Sequence, residues 1–212
     1  FNAPARSKFL KAVGAEARAV SDVVSLLALA NASVAFGLTS GGRILLELPP
    51  AVDLTARVAA LWGREAATTL IALSTESDGV QVRGLIQRPG AARSGFRRAH
   101  LFVNGRPFRS RPLLSALDRG YRTTISERVR PWAFLYLRMP PGTVDMNVHP
   151  AKAEVRFRDA AAVDGTVVWA LRQSAGRGRQ NREWISVQGN LFCSVILRPD
   201  CAPGRAQEIG FV

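Results

Sequence analysis

The sequence predicts an α+β domain, a sheet backed by helices, over most of its length. Three observations predict it. Short apolar runs come in pairs joined by turn residues. Between the pairs lie longer segments whose apolar residues recur every three or four positions. Hydrophobic residues make up 47% of the 212 positions, an ordinary share for a chain with a buried core.

The opening segment to about Gly14 reads as a loop leading into a helix. From Glu16 to Ala30, apolar residues at Ala19, Val20, Val23, Val24, Leu27 and Ala30 form a helical face. Val34 to Thr39 and Arg43 to Leu48 read as strands, with Ser40-Gly41-Gly42 between them as a hairpin signal. Pro49-Pro50 stops the second strand, and Leu54 to Trp62 reads as a helix ended by Gly63. Leu70 to Ser74 and Gly79 to Ile86 form another strand pair, joined by the polar Thr75-Glu76-Ser77-Asp78. Residues 87–98, rich in Pro, Gly, Ser and Arg, read as an exposed, mobile loop. His100 to Val103 is a strand turned at Asn104-Gly105, and Arg111 to Tyr121 is a helix with Leu113, Leu114 and Leu117 on its buried side. Trp132 to Leu137 is a strand broken by Pro140-Pro141-Gly142. Val144 to Val148 and Glu154 to Phe157 are short extended pieces, and Ala160 to Leu171 is a closing helix with Val163, Val167, Val168 and Leu171 inward. At about Arg172-Gln173 the character changes to a Gly/Arg-rich stretch followed by a strand from Asn190 to Leu197, which sets a boundary there. No internal repeat is present.

The formal net charge is +13, and it is concentrated. Twelve arginines lie between Arg83 and Arg130, opposed only by Asp118 and Glu127, so this block carries +10 of the total. Such a block is the electrostatic footprint of a polyanion binder. A solvated surface in a chain that uses Arg for Lys is the other reading, since only three of the 29 basic residues are Lys. Cys193 and Cys201 lack metal-ligand spacing and only two histidines are present, so no zinc site is expected. A disulfide between the two stays open, with a reduced, intracellular protein preferred. No apolar run reaches the roughly 18 residues a membrane span needs. The start lacks a signal-peptide pattern and an initiator Met, which suggests a piece of something longer or a processed product.

Val144-Asp145-Met146-Asn147-Val148-His149-Pro150-Ala151-Lys152-Ala153-Glu154-Val155-Arg156-Phe157 places a lone lysine after Pro in a loop between two extended pieces. A lysine so held is a point-charge ligand for phosphate, or else a solvated surface residue. This string resembles the hallmark of the MutL family of DNA mismatch-repair ATPases, with Met146 where Val is more usual. Phe1-Asn2-Ala3-Pro4-Ala5-Arg6-Ser7-Lys8-Phe9-Leu10 resembles the segment that ends that family's ATPase domain, one residue shorter. Phe102-Val103-Asn104-Gly105-Arg106-Pro107 resembles its strand and turn.

The resemblance implies three parts. Residues 1–11 would end an otherwise missing GHKL ATPase domain. Residues 12–172 would form a transducer domain of the ribosomal-protein-like split βαβ kind. Residues 173–212 would be something else. It also implies that Lys152 reaches the γ-phosphate of ATP, held with Mg in the preceding domain, while Asn147, His149 and Pro150 shape the loop. Arg97, Arg98, Arg106, Arg109 and Arg111 would lie along a groove that binds DNA without sequence preference; for Arg109 and Arg111, capping of the adjacent helix is the alternative. Implied partners are DNA, a MutL-type ATPase domain and a MutS-like mismatch-recognition protein, with no membrane. The implied location is a bacterial cytoplasm, at the nucleoid. The family's catalytic Glu, Mg-binding Asn and glycine-rich lid precede the Phe1 segment, so ATP hydrolysis by these residues alone is not expected.

The tail, Gln173-Ser174-Ala175-Gly176-Arg177-Gly178-Arg179-Gln180-Asn181-Arg182-Glu183-Trp184, continues to Gly189-Asn190-Leu191-Phe192 and Leu197-Arg198-Pro199. Glycines that free the backbone beside arginines suit an anion, or simply a flexible basic tail. The string resembles the biotin-binding loop of biotin–protein ligases. That implies Gln173 at biotin and Gly176, Arg177, Gly178, Arg179 and Arg182 around a biotinyl adenylate. The ligases' other motifs, including the catalytic lysine segment, are not found here. An inactive gene-fusion remnant is the remaining reading of the join.

Overall fold

A computed structural model describes residues 12–92, 97–126, 128–148 and 154–175. It begins with helix α1 (Val13–Ala30) and a hairpin of β1 (Phe36–Ser40) and β2 (Arg43–Leu48). Helices α2 (Leu54–Trp62) and α3 (Arg64–Thr68) precede strands β3 (Leu70–Ser77) and β4 (Val80–Gln87). Then come β5 (Ala99–Val103), β6 (Arg106–Phe108), helix α4 (Arg111–Tyr121) and β7 (Ala133–Arg138). The short β8 (Val144–Asp145) and β9 (Arg156–Phe157) lead to the last described helix, α5 (Ala160–Ala175).

Local chemistry sets most of these ends. The Asp53 carboxylate accepts from Ala56 N at 2.7 Å and starts α2, which stops at Gly63 with φ 91°. Ser110 Oγ accepts from Leu113 N and Pro112 occupies the first turn of α4. Three hairpins turn on two residues with positive φ: Gly41-Gly42, Asp78-Gly79 and Asn104-Gly105. The Asp78-Gly79 turn corrects the reading of Thr75 to Asp78 as a polar connection. Asp-Gly is the stronger turn signal, and β3 runs on to Ser77 because its residues alternate: Leu73 and Ser77 are buried, Ser74 and Glu76 exposed. The one-turn α3 was not legible, and β8 and β9 are shorter than their apolar runs suggest.

A five-stranded sheet in the order β3-β4-β7-β5-β6 forms the centre. All neighbours are antiparallel except β5 and β7, whose parallel pairing is reached through β6 and α4. Side chains alternate across it. Val82, Ile86, Leu101, Val103, Leu135 and Leu137 face Leu113 and Leu117 of α4 and Val163, Val167 and Leu171 of α5. Leu70, Leu85, Phe102 and Phe134 face Leu29 of α1 and Val58 of α2. Each large apolar side chain buried here contributes about 1.5–3 kcal/mol. The expected sheet backed by helices is therefore present, with helices on both faces. The β1–β2 hairpin forms its own ladder outside that sheet. The apolar stripe read along α1 is turned largely outward: Val20, Val23 and Leu27 are exposed, while Ala28 and Leu29 are buried. Val13, Ile44, Leu45 and Val52 are exposed as well.

Two glycines allow close approach. A Cβ on Gly84 of β4 would lie 1.9 Å from the Phe134 carbonyl oxygen of β7, and its φ is 155°. A Cβ on Gly120 of α4 would meet Leu171 of α5 at 2.5 Å. On the α1 and α2 side, Trp62, His100 and Phe134 stack, with Trp62 and Phe134 centroids 5.4 Å apart and His100 and Phe134 5.7 Å apart. Burial, then the nearby Arg98 charge, holds the His100 ring down to about 4, against the opposing pull of Asp22.

Two outcomes follow for stability. Gly84→Ala forces apart backbones of adjacent interior strands and is expected to cost about 3 kcal/mol or more in denaturant unfolding. Gly120→Ala meets Leu171 at its Cβ, which moves only with the α5 backbone, and should cost about 1–3 kcal/mol. For His100, the unfolded ring titrates near 6.5 and the folded ring near 4. Its contribution is complete above pH 6.5 and declines as pH falls through that window, by at most about 3 kcal/mol. His100→Phe should flatten the fall in stability between pH 6.5 and 4; an unchanged slope would exclude His100 as its source.

Candidate nucleic-acid interface

The five arginines singled out in the sequence fall into two sets. Arg97 is partly buried against α4, where it pairs with Asp118 at 3.3 Å and donates to the Leu114 carbonyl at 3.0 Å. Arg98 lies over Trp62 and Trp132, 4.8 and 5.1 Å from their ring centroids, and its carbonyl accepts from Ala133 N. Burial lowers its pKa. Both were expected in an exposed loop. The structure corrects that: aromatic rings and a helix-borne carboxylate draw this end of residues 87–98 onto the domain. Their guanidinium groups serve packing first.

Arg106, Arg109 and Arg111 form the second set. They follow the Asn104-Gly105 turn along edge strand β6 and into the first turn of α4. Arg109 and Arg111 are exposed and Arg106 is half-buried. The capping alternative for Arg109 and Arg111 is not what the geometry shows, since Ser110 supplies the cap. The stretch is held firmly from both sides. Asn104 donates to the Met139 carbonyl at 3.0 Å and accepts from Met139 N at 3.1 Å, while Phe108 is buried in the core. Three arginines thus follow one another along a strand-to-helix corner, Arg111 in the first turn of α4 at the positive end of its dipole. Another member of the basic block, Arg119 of α4, is paired with Asp164 of α5 and joins the two helices.

The Asn147 loop has well-defined feet. β8 and β9 pair antiparallel, Val144 opposite Phe157 and Asp145 opposite Arg156. Val144 is buried, and Phe157 meets Phe108 edge to face at 5.8 Å. Asp145 Oδ1 accepts from Asn147 N at 2.8 Å, which turns the chain as it leaves β8. Met146 and Val155 pack partly against the core on either side. His149, Pro150, Ala151 and Lys152 lie outside the described residues.

The closing helix extends past Leu171 to Ala175, which is buried, so Gln173 stands in the last turn of α5. Gly176, Arg177, Gly178, Arg179 and Arg182 lie outside the described residues, as do Cys193 and Cys201. Among the described residues no cluster of His, Cys, Asp and Glu is arranged for a metal ion, and no helix is long and apolar enough to cross a membrane. Sequence reasoning passed over Arg138 and did not set Arg83 apart from the rest of the block. Both are exposed on one face of adjacent strands β4 and β7. The alternation Gln81-Val82-Arg83 signals an outward arginine; the nearness of Arg138 needs the strand pairing.

The family described as "DNA mismatch repair protein, C-terminal domain" matches residues 58–175. The chain is 42% identical over 190 residues to the DNA mismatch repair protein MutL of Caulobacter vibrioides and 40% identical over 183 residues to that of Paramagnetospirillum magneticum. These matches cover 87% and 84% of the chain and 30% of each relative. MutL of Sinorhizobium fredii is 36% identical over 98% of the chain and 35% of that relative. The chain therefore spans about a third of the length of the curated relatives it matches. Among solved structures, the N-terminal domain of a DNA repair protein shares the fold, with a TM-score of 0.68 at 21% identity over 83% of this chain and 58% of that one. The Aquifex aeolicus MutL ATPase domain complexed with ADP aligns with a TM-score of 0.50 at 29% identity, over 66% of this chain and 50% of that one. A second family, "Biotin/lipoate A/B protein ligase family", matches residues 151–212.

Proposed function

We infer that this chain, which belongs to the MutL family of DNA mismatch repair proteins, is the part of such a protein that contacts DNA and senses bound nucleotide. The observation that carries the DNA reading is the corner of Arg106, Arg109 and Arg111 on β6 and the start of α4, braced by Asn104 and Ser110. Guanidinium groups on a sheet edge suit phosphodiester oxygens, contacts that carry no sequence information. Mg-bound ATP, a MutL-type ATPase domain and a MutS-like mismatch-recognition partner belong to the same proposal. Supporting it, one neighbour in fold is a MutL ATPase domain that binds ADP.

Lys152 is the proposed phosphate sensor. In sequence it falls between Val144, which is buried, and Phe157, which packs partly against the core, and an ammonium can answer to a nucleotide phosphate on a neighbouring domain. Hydrolysis itself is assigned to the family's ATPase part.

A second reading applies to the tail alone. The ligase-family match over residues 151–212 favours a segment related to biotin–protein ligases, with Gln173 at biotin and Arg177, Arg179 and Arg182 at the adenylate phosphate. Biotinyl-AMP formation from biotin and ATP by the 212-residue chain would establish it; no product is expected.

DNA retention by the chain should fall steeply with salt. Each phosphate contact contributes about 0.9 to the slope of log affinity against log salt, so R106A/R109A/R111A should reduce it by about 2.7. A folded chain that retains no DNA at low salt, or a triple variant with an unchanged slope, would overturn the DNA reading. In a chain that includes a MutL-type ATPase domain, Lys152→Ala should cut kcat/KM for ATP by roughly tenfold or more while leaving DNA retention intact. Unchanged turnover would remove Lys152 from the phosphate.

A further inference from the structure

The sheet face that carries Leu85, Phe102 and Phe134 is covered by α1 and α2 over only part of its area. Tyr136 marks the border. Its ring stacks on Phe102 with centroids 4.4 Å apart, and its hydroxyl donates to the Leu29 carbonyl near the end of α1. Beyond it none of the described residues covers the face, and Gln81, Arg83, Asn104, Tyr136 and Arg138 line a cavity of about 590 Å³.

The pairing of β4 with β7 places Arg83 opposite Tyr136 and Gln81 opposite Arg138. With side chains alternating along each strand, these four share one face, and the two arginines are diagonal neighbours, about 7–8 Å apart at the backbone. Both guanidinium-bearing residues are exposed, and neither pairs with a carboxylate among the described residues. Glu76, opposite Gln81 on β3, accepts from the Gln81 amide at 3.2 Å. Glu76 is therefore on the same face, diagonal to Arg83, and the two arginines outnumber this one carboxylate there.

We propose that this open face binds the phosphate backbone of a nucleic-acid strand, as a second contact surface beside the Arg106–Arg111 corner. The proposal rests on the DNA-binding reading and extends it to residues on the sheet itself. Several features select this occupant. β4 and β7 are interior strands, so their backbone groups already bond to neighbouring strands, and an acidic peptide cannot add as a further strand. The cavity is a sheet surface with two exposed arginines and no glycine-rich backbone cradle, which suits a repeating polyanion better than one small enclosed phosphate. Planar guanidinium forks on adjacent strands can each take one phosphodiester.

The test compares salt-dependent DNA retention by the 212-residue chain with that of R83A/R138A. Circular dichroism and thermal melting serve as controls; both side chains are exposed, so the fold should survive. The double variant should lose about 1.8 from the salt slope and bind roughly tenfold more weakly at low salt. R138E, which reverses one exposed charge, should weaken retention as well. If R83A/R138A and R138E, both folded, bind like the parent while R106A/R109A/R111A does not, this surface is excluded and the corner reading stands. If the parent retains no DNA, both fall together. Retention of a poly-glutamate peptide in place of DNA would overturn the nucleic-acid assignment and point to an acidic protein partner.

Discussion

The buried guanidinium of Arg57 is the constraint on which the arrangement of this molecule turns. It projects from α2 into the joint where α1 passes into β1, and it is fully buried. One of its nitrogens donates to the carbonyls of Ala32 and Val34, both at 2.6 Å, and its plane lies 5.9 Å from the Phe36 ring. No carboxylate among the described residues pairs with it; desolvation lowers its pKa, and carbonyl dipoles face the charge. Ala32 O also accepts from Ala51 N, so the same carbonyl closes the hairpin's two ends against each other. Through this joint the end of α1 is fixed, and with it Leu29, which packs on the sheet and receives the Tyr136 hydroxyl. A hydrophobic residue at position 57 would fill the space but take the donor from the Val34 carbonyl and leave Ala32 only the Ala51 amide.

Most elements were legible because their signals are local. Gly-Gly, Asp-Gly and Asn-Gly demand positive φ, Ser110 and Asp53 cap helices, and period two or three to four marks each apolar face. The bounds of α2, α4 and β2 follow from such signals. What was not legible depends on contacts distant in the chain. Val20, Val23 and Leu27 form a helical stripe, yet the sheet takes the opposite edge of α1 at Ala28 and Leu29. Periodicity shows that a face exists, not which neighbour meets it. Arg57 gave a faint signal, a charge between Leu54, Val58 and Leu61 on the inner side of α2, which a count of apolar spacings passes over.

The basic block divides the same way. Its net charge is a sum over sequence and says nothing about which members are committed. Asp118 and Asp164 each claim an arginine, and Trp62 and Trp132 hold another between their rings. The acidic partners are few, but they stand on helices that bring them to chosen arginines. Arg106, Arg109 and Arg111 lie along the edge strand and the start of α4, and Arg83 lies on the sheet's open face. The loop of Asn147 shows the opposite case: its motif was clear in the sequence, and the structure adds the reason its ends are so well placed, in the burial of Val144 and the Phe108–Phe157 contact.

The outward stripe of α1, together with Ile44 and Leu45 on the hairpin, has a consequence for handling the molecule in solution. Its net charge of +13 keeps copies apart by repulsion at low ionic strength. At about 1 M salt the screening length shrinks to about 3 Å, and excluded salts such as sulfate strengthen apolar association. Colloidal behaviour is then set by the exposed valines and isoleucine, and copies attract through them. High salt therefore does two things at once, releasing polyanions and favouring self-association, so light scattering belongs beside any measurement in which ionic strength is the variable.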